Sequence, residues 1–167
     1  MSLQISVDAA RNLRLLALDV DGVLTDGRLY YGADGEMLKA FHTQDGHGLK
    51  LLADSGVTIA LITGRRSQMV SKRATELGIS HVIQGREDKA AALSELAHEL
   101  GLTSRDIAYV GDDQPDVGAL QWAGLSFAPS DAHVCAKEAA DHTTTAGGGN
   151  GAVREICDAV LAHRELV

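Results

Sequence analysis

The stretch Leu13–Val23, with the sequence LRLLALDVDGV, decides how this chain folds. Its first part is almost entirely apolar, a pattern that predicts a strand buried on both faces of a parallel sheet. The apolar run ends at two acids, Asp19 and Asp21, separated by one residue. Alternate residues of an extended chain point to the same side, so the two carboxylates are expected to share one side. The pattern predicts a ligand site at the carboxyl edge of a sheet.

Similar patterns recur along the chain. Val57–Ile62 and Ile107–Val110 are predicted as further buried strands, with shorter ones at His81–Ile83 and Leu125–Ala128. The segments between them have helical patterns: Gly46–Ser55, Ser67–Leu77, Asp88–Leu100, Gln114–Ala123 and Gly151–His163. Predicted helix C-caps follow the helices at Gly56, Gly78, Gly101 and Gly124. Strands that alternate with helices predict an α/β fold, a doubly wound parallel sheet with both faces covered.

Two segments depart from this alternation. Arg28–Phe41 has the pattern of two short strands around Ala33-Asp34-Gly35, which predicts a β-hairpin. Ala146–Glu155 contains too much glycine for a packed element and is expected to form a flexible hinge, with Asn150 capping the last helix. No long linker divides the chain, so residues 1–167 are expected to form a single domain.

Charge and composition restrict the possible partners. The 167 residues are 45% hydrophobic and 23% charged, which is ordinary for a globular protein. A net charge of −8 argues against nucleic acid or an anionic membrane as the main partner, because both require a basic surface. No apolar run approaches the roughly 18 to 20 residues of a membrane span, and no signal peptide is evident. Cys135 and Cys157 lack metal-ligand spacing, so a cytoplasmic protein with reduced thiols is expected.

Further polar groups stand where other predicted strands end or helices begin. Thr63-Gly64-Arg65 follows one strand, Lys89 lies at a helix start, and Gly111-Asp112-Asp113 with Asp116 follows another strand. Carboxylates are the hard ligands that Mg²⁺ prefers, while a hydroxyl and an ammonium group can bind phosphate oxygens. Phosphoryl transfer requires such a metal and donors around a nucleophilic carboxylate. Gly111–Asp116 (GDDQPD) alone is moderately specific and the other motifs alone are weak, but the ordered set is specific.

This ordered set resembles the haloacid dehalogenase superfamily, and the resemblance extends from Leu13 to Val160. It implies that Asp19 attacks phosphorus to form an aspartyl-phosphate, and that Asp21 acts first as general acid and then as general base. It also implies that Asp19, the backbone carbonyl of Asp21 and Asp112 hold magnesium.

The same resemblance implies roles for the remaining polar residues. Thr63, Gly64 and Lys89 would bind the transferring phosphoryl group. Asp113 and Asp116 would support the site from outside, with Asp116 orienting Lys89. Larger members of the superfamily insert a cap domain between the first and second or the second and third motifs. Both intervals are too short here, so no cap domain is expected.

Several segments resemble one capless subfamily, the phosphatases of 3-deoxy-D-manno-octulosonate 8-phosphate, an intermediate of lipopolysaccharide synthesis. They are Phe41–Gly48 (FHTQDGHG), Gln84–Lys89 (QGREDK) and Gly148–Glu155, which matches a GGxGAxRE tail. In that subfamily the hairpins assemble a tetramer and the tail reaches a neighbour's active site. The resemblance implies a homotetramer, a small sugar-acid phosphate as substrate, and substrate contacts from Gly148 and Gly149.

The substrate remains open at this point, because relatives acting on sialic-acid-type 9-phosphates share the scaffold. They tend to carry an acid where this chain has Arg65, whose guanidinium could pair with the carboxylate of a sugar acid. Pro129–Ala132 and Gln44 depart from the octulosonate pattern near the expected site. Two other classes are a phospho-receiver signalling domain, whose motif order differs, and a binding protein that has lost catalysis.

Overall fold

The computed structural model describes residues 3–164, and a six-stranded parallel sheet forms its centre. The strands are β1 (Leu15–Leu18), β2 (Tyr30–Gly32), β3 (Gly35–Leu38), β4 (Thr58–Thr63), β5 (His81–Gln84), β6 (Ile107–Val110), β7 (Leu125–Ala128) and β8 (His142–Thr143). The sheet order is β5-β4-β1-β6-β7-β8, and every neighbouring pair is parallel. Strand β1 therefore lies inside the sheet, between β4 and β6.

Helices cover both faces of this sheet. They are α1 (Val7–Asn12), α2 (Thr43–Asp54), α3 (Gln68–Leu77), α4 (Lys89–Glu99), α5 (Val117–Trp122), α6 (Val134–Ala139) and α7 (Ala152–Leu161). In β1, Leu16 and Leu18 join a core with α1, α2, α3 and α7, whereas Leu15 and Ala17 join a second core with α4, α5 and α6. The predicted doubly wound α/β fold is confirmed. None of these helices has the length and apolar character that a membrane crossing needs.

The predicted elements agree with the structure most closely in the sheet. Strands β6 and β7 have the predicted bounds, and β1 begins at Leu15 rather than Leu13. The predicted helix Gln114–Ala123 divides into a 3₁₀ turn, Gln114–Asp116, followed by α5. Helices α1 and α6 and strand β8 were not predicted, because six, six and two residues are too few to show a clear period.

The glycines after the helices serve two different purposes. Gly56, Gly78 and Gly101 have φ angles of 91°, 72° and 66°, as expected of glycines that end helices. The C-cap prediction for Gly124 is wrong. Its N–H donates a hydrogen bond to the carbonyl of Ser104 (2.8 Å), and a Cβ there would lie 2.6 Å from that oxygen. Gly124 is required by close backbone approach.

The segment Arg28–Phe41 contains the predicted β-hairpin. Strands β2 and β3 pair antiparallel in a separate two-stranded sheet. Between β1 and β4 the described chain holds only this hairpin and α2, and between β4 and α4 it holds only α3 and β5, so neither interval contains a cap domain. The hairpin region carries most of the exposed large apolar side chains of residues 3–164, namely Leu29, Tyr30, Tyr31, Met37 and Leu38.

The prediction that Ala146–Glu155 does not pack is wrong. The N–H of Gly149 donates to the carbonyl of Val23 (2.9 Å), and a Cβ on Gly149 would lie 2.5 Å from the carbonyl carbon of Thr25. The N–H of Gly148 donates to the carboxylate of Asp131 (2.9 Å). Glycine is needed because the segment lies directly against the backbone of the loop after β1.

Two carboxylates, those of Asp45 and Glu155, bind the backbone on either side of the glycine run. The N-cap of α7 is Gly151 rather than the expected Asn150. The buried carboxylate of Asp45, on α2, accepts hydrogen bonds from the N–H groups of Gly151 (3.4 Å) and Arg154 (2.9 Å). Glu155 accepts hydrogen bonds from the backbone N–H groups of Thr145 and Ala146, each at 3.0 Å. The segment is therefore a fixed turn on the loop that follows β1.

Candidate active site

The first acid of the site, Asp19, lies at the carboxyl end of β1 in the middle of the sheet. Its N–H donates to the carbonyl of Val110 on β6 (3.0 Å), and its Oδ1 accepts from the N–H of Val20 (2.7 Å). The backbone then turns at Gly22, whose φ is 91°. A Cβ on Gly22 would overlap the carboxylate of Asp112. The loop after β1 therefore approaches Asp112 as closely as only glycine allows.

The buried ammonium group of Lys89 links Asp19 to Asp116. Its Nζ lies 2.9 Å from Oδ2 of Asp19 and donates to Oδ1 of Asp116 at 2.8 Å. Asp116 also accepts hydrogen bonds from the hydroxyl of Tyr109 (2.7 Å) and from two backbone N–H groups (3.0 and 3.2 Å). Both oxygens of Asp116 are thus engaged, and this geometry is the one expected of a residue that orients Lys89.

Negative charge is crowded in this site. Burial, together with the charge of Asp116, raises the pKa of Asp19 to about 6, although Lys89 opposes the shift. Burial and the charges of Asp19 and Asp116 raise the pKa of Asp112 to about 8. Burial alone would lower the pKa of Lys89, but the carboxylates of Asp19 and Asp116 outweigh it and raise the pKa. Three carboxylates therefore lie near one ammonium group, which contacts only Asp19 and Asp116.

The residues present suit a divalent cation. Asp19, Asp112 and Asp116 each offer an oxygen, and these oxygens lie within 4.8 Å of one another. Each oxygen of Asp116 already accepts two hydrogen bonds, whereas each oxygen of Asp19 has one such contact. Asp19 and Asp112 therefore have the greater capacity to hold a metal ion. A hard dication bound by these oxygens would neutralise the excess negative charge.

Thr63 and Gly64 stand at the end of β4, next to β1. Thr63 is buried, and its carbonyl accepts a hydrogen bond from the N–H of Arg86 (3.2 Å). A cavity of about 900 Å³ opens over these strand ends. Its walls include nine predicted residues: Asp19, Asp21, Thr63, Gly64, Arg65, Lys89, Asp112, Asp113 and Asp116. The topology thus brings motifs that are far apart in sequence to one opening.

Arg65 lies at the rim of this cavity. Its side chain is 44% exposed, and its Nε lies 4.0 Å from Oδ2 of Asp21. A terminal nitrogen of Arg65 donates a hydrogen bond to the hydroxyl of Tyr31 on the hairpin (2.8 Å). This hydrogen bond raises the pKa of Arg65, so the guanidinium remains charged at any physiological pH.

Gly148 and Gly149 do not line the cavity with the other predicted site residues. Both contact the backbone of the loop after β1, and both of their N–H groups already donate hydrogen bonds within the chain. Within the chain these glycines lie against the loop that carries Asp21 and Gly22. The expected contact with substrate in a neighbouring subunit's site concerns an assembly of several copies and stays a prediction.

Sequence patterns missed three residues that shape the site. Lys39 follows β3 and donates to Oδ1 of Asp21 at 2.5 Å. The Tyr109 side chain reaches Asp116 from an apolar strand, where an aromatic residue would ordinarily be read as core. Oγ1 of Thr25 accepts hydrogen bonds from two glycine N–H groups (3.2 and 3.1 Å) and so fixes the loop after β1. Of these three residues, only Thr25 is close enough in sequence to the acidic pair for its proximity to indicate a role in the site.

Known proteins share both the sequence and this architecture. A family model described as haloacid dehalogenase-like hydrolase matches residues 81–156. The 3-deoxy-D-manno-octulosonate 8-phosphate phosphatase KdsC of Escherichia coli (strain K12) is 47% identical over 152 residues, which are 91% of this chain and 81% of that protein.

Two solved structures are similar to this chain in both fold and sequence. The phosphatase of the same name from Moraxella catarrhalis, in complex with magnesium ion, phosphate ion and a KDO molecule, matches with a TM-score of 0.91 and 46% identity, covering 94% of this chain and 90% of that one. The cobalt-bound Haemophilus influenzae deoxy-D-mannose-octulosonate 8-phosphate phosphatase matches with a TM-score of 0.90 and 41% identity, over 93% and 91% of the chains. This chain therefore belongs to the haloacid dehalogenase-like hydrolases, within the family of 3-deoxy-D-manno-octulosonate 8-phosphate phosphatases.

Proposed function

We propose that this protein hydrolyses 3-deoxy-D-manno-octulosonate 8-phosphate to the free sugar acid and inorganic phosphate, with Mg²⁺ as its cofactor. The observation that carries the proposal is the group formed by buried Asp19 and Lys89 with half-buried Asp112 in an open cavity. The relative from Moraxella catarrhalis, 46% identical, was crystallised with magnesium ion, phosphate ion and a KDO molecule.

The first chemical step transfers the phosphoryl group to the protein. A carboxylate oxygen of Asp19 attacks phosphorus, and the bond between phosphorus and the ester oxygen breaks. The electron pair of that bond goes to the leaving sugar oxygen, which takes a proton from the carboxyl group of Asp21. The sugar acid leaves as an alcohol, and Asp19 carries the phosphoryl group.

The second step returns the protein to its starting state. The carboxylate of Asp21 takes a proton from a water molecule, whose oxygen attacks phosphorus. The bond between phosphorus and Asp19 breaks, inorganic phosphate leaves, and Asp19 is again a carboxylate. Asp21 ends protonated, as it began.

The other residues bind and orient the phosphoryl group. The hydroxyl of Thr63, the N–H of Gly64 and the ammonium group of Lys89 would donate to its oxygens. The carboxylates of Asp19 and Asp112, with the backbone carbonyl of Asp21, would hold magnesium. The bound ion would supply a Lewis acid that offsets charge on the phosphoryl oxygens.

Two residues support the metal site from outside. Asp116 fixes Lys89 and the backbone of the loop after β6. Asp113 caps the 3₁₀ turn after that loop by accepting from the N–H of Gln114 (2.7 Å). Both would therefore preserve the geometry of Asp112 rather than bind the ion.

The exposed guanidinium of Arg65 is the substrate-recognition element of the proposal. It lies at the mouth of the cavity, where it can form a bidentate pair with a carboxylate on the part of the substrate far from the phosphate. We therefore expect sugar-acid phosphates to be preferred over sugar phosphates that lack a carboxylate.

A phosphate-release assay with Mg²⁺ tests this preference. The substrates are 3-deoxy-D-manno-octulosonate 8-phosphate, a sialic-acid-type 9-phosphate and a hexose 6-phosphate. We expect the first to give the highest kcat/KM, and Arg65→Met to raise KM about tenfold or more for the sugar acids but little for the hexose phosphate.

The outcomes separate the alternatives. Preference for the 9-phosphate would favour the sialic-acid-type reaction over the octulosonate reaction. No turnover of any phosphate monoester would contradict a phosphatase and favour a phospho-receiver or a binding protein. Arg73→Met is a matched control, because this arginine lies outside the cavity and faces Phe41.

We also propose that residues 1–167 act as one domain in a homotetramer located in the cytoplasm. The exposed apolar side chains of the hairpin form a surface that a second copy could cover. The two free cysteines suit a reducing compartment. Light scattering should give a tetramer for the full chain and smaller species for a Leu29→Ser/Met37→Ser variant. Val134→Ser, an exposed apolar residue elsewhere, should not change the mass, and a monomeric wild type would contradict the proposal.

A further inference from the structure

The hairpin contributes one charged group to the region of Asp21. Lys39 follows β3 directly, and its Nζ donates to Oδ1 of Asp21 at 2.5 Å while lying 2.7 Å from Oε1 of Glu36. The Lys39 side chain is only 1% exposed, whereas those of Asp21 and Glu36 are 17% and 14% exposed. The lysine is thus enclosed by the hairpin and the two acids.

This enclosure limits what Lys39 can do. Its ammonium group is not part of the cavity wall, whereas that of Lys89 is. The ammonium group of Lys39 instead lies against the carboxylates of Asp21 and Glu36. The lysine is therefore placed to act on the chemistry through a neighbouring carboxylate.

The orientation of Asp21 depends on this contact. One Asp21 oxygen is bound by Lys39, and the other faces Arg65 across 4.0 Å at the cavity rim. Asp21 lies in the loop after β1 rather than within a strand, so its backbone alone does not fix the carboxylate. Of the two basic groups, Lys39 is the closer and the more buried. A charged hydrogen bond of this kind restricts the rotation of the carboxylate.

We propose that Lys39 is a positioning residue that fixes the carboxylate of Asp21 for proton transfer, which makes the hairpin part of the catalytic apparatus. The inference rests on the proposed phosphatase function and on Asp21 as its acid and base. Glu36 holds the second side of the ammonium group, so that Lys39 points to Asp21 and not to solvent. Such a contact can increase the reaction rate by positioning an acid or base, because a small misplacement of reacting groups lowers the rate strongly.

The test compares leaving groups in the Lys39→Met variant, which keeps the length of the side chain and removes its charge. An alkyl phosphate needs a proton from Asp21 when the ester bond breaks, whereas dinitrophenyl phosphate releases a stable anion and does not. We expect kcat/KM for the alkyl phosphate to fall about 10- to 100-fold and kcat/KM for the aryl phosphate to change less than about threefold.

Two further variants separate positioning from general damage. Lys50→Met removes an exposed lysine of α2 and should leave both kcat/KM values unchanged. Asp21→Asn should show the same selective loss as Lys39→Met, and combining the two substitutions should cause little additional loss, because both act on one proton transfer.

The results distinguish this inference from the proposed function. If the wild type hydrolyses neither phosphate ester with Mg²⁺, the phosphatase assignment itself fails. If the wild type is active and Lys39→Met matches it, or loses equal activity with both leaving groups, Lys39 does not position the acid. A loss in the double variant equal to the product of the two single losses would also overturn the inference.

Discussion

Asp19→Asn is expected to reduce phosphate release by about four orders of magnitude or more, with any substrate and at saturating Mg²⁺. An amide does not attack phosphorus as a carboxylate does, and no other carboxylate is held in the same place. Asp116 is engaged by Lys89 and Tyr109, and Asp112 comes from the next strand. The fold should survive, because Asn can still accept the hydrogen bond that Val20 donates.

The matched control for this prediction is Asp54→Asn, an exposed acid at the end of α2. It removes the same charge from the chain but should keep wild-type turnover. Substrate binding to Asp19→Asn, measured by calorimetry with Mg²⁺ present, should stay within about tenfold of the wild-type value, since Thr63, Lys89 and Arg65 remain. Turnover above roughly one hundredth of wild type would show that Asp19 is not the nucleophile.

Asp112→Asn is expected to have the second largest effect, a loss of about three orders of magnitude in turnover, because it removes one of the two carboxylates left for the metal ion. The loss of metal binding can also be measured as a loss of Mg²⁺-dependent stabilisation against unfolding. Mg²⁺ at about 100 times its dissociation constant should stabilise the wild type by about 2.7 kcal/mol, and the variant much less at the same concentration.

Without a metal ion, Asp112→Asn is expected to increase the stability of the protein rather than decrease it. Burial and the charges of Asp19 and Asp116 raise the pKa of Asp112 from 3.8 to about 8 in the folded protein. A carboxyl group with a raised folded pKa costs stability as the pH rises from its unfolded value to its folded value, because the folded state binds the extra proton. The metal-free variant should therefore gain stability over the metal-free wild type as the pH rises from 3.8 towards about 8.

Thermal unfolding with and without Mg²⁺ measures both effects in one series. Asp54→Asn again serves as the control, with Mg²⁺-dependent stabilisation equal to that of the wild type. If Asp112→Asn were stabilised by Mg²⁺ as strongly as the wild type, the ion would bind elsewhere. If the metal-free variant were the less stable one near pH 8, the excess negative charge at the site would be disproved.

The sequence predicted those features that depend on local pattern and chain order. Apolar runs such as Ile107–Val110 identify buried strands, and parallel strands bring their carboxyl ends to one edge. For that reason the sequence alone predicts that Asp19, Thr63 and Asp112 belong to one site. The hairpin could be predicted for a similar reason, since its turn residues are local.

Contacts between distant segments could not be predicted. Lys39 contacts Asp21 because the hairpin lies next to the loop after β1. The hydrophobic periodicity of the sequence does not predict such a contact. The flexible hinge predicted around Gly149 is wrong, because a high glycine content alone favours flexibility. In the structure these glycines allow two backbones to touch, and a Cβ on Gly149 would lie 2.6 Å from the backbone nitrogen of Asp26. Glycine content therefore indicated close packing here rather than mobility.

The most direct test of the account is to trap the phosphorylated protein. Wild type, Asp19→Asn and Asp21→Asn are mixed with dinitrophenyl phosphate and Mg²⁺, quenched in acid during turnover, digested and examined by peptide mass spectrometry. We expect one phosphoryl group on Asp19 in the wild type and none in Asp19→Asn. A larger fraction of Asp21→Asn should carry the group, because water is no longer deprotonated. A phosphoryl group on any other residue, or rapid turnover by Asp19→Asn, would contradict the account.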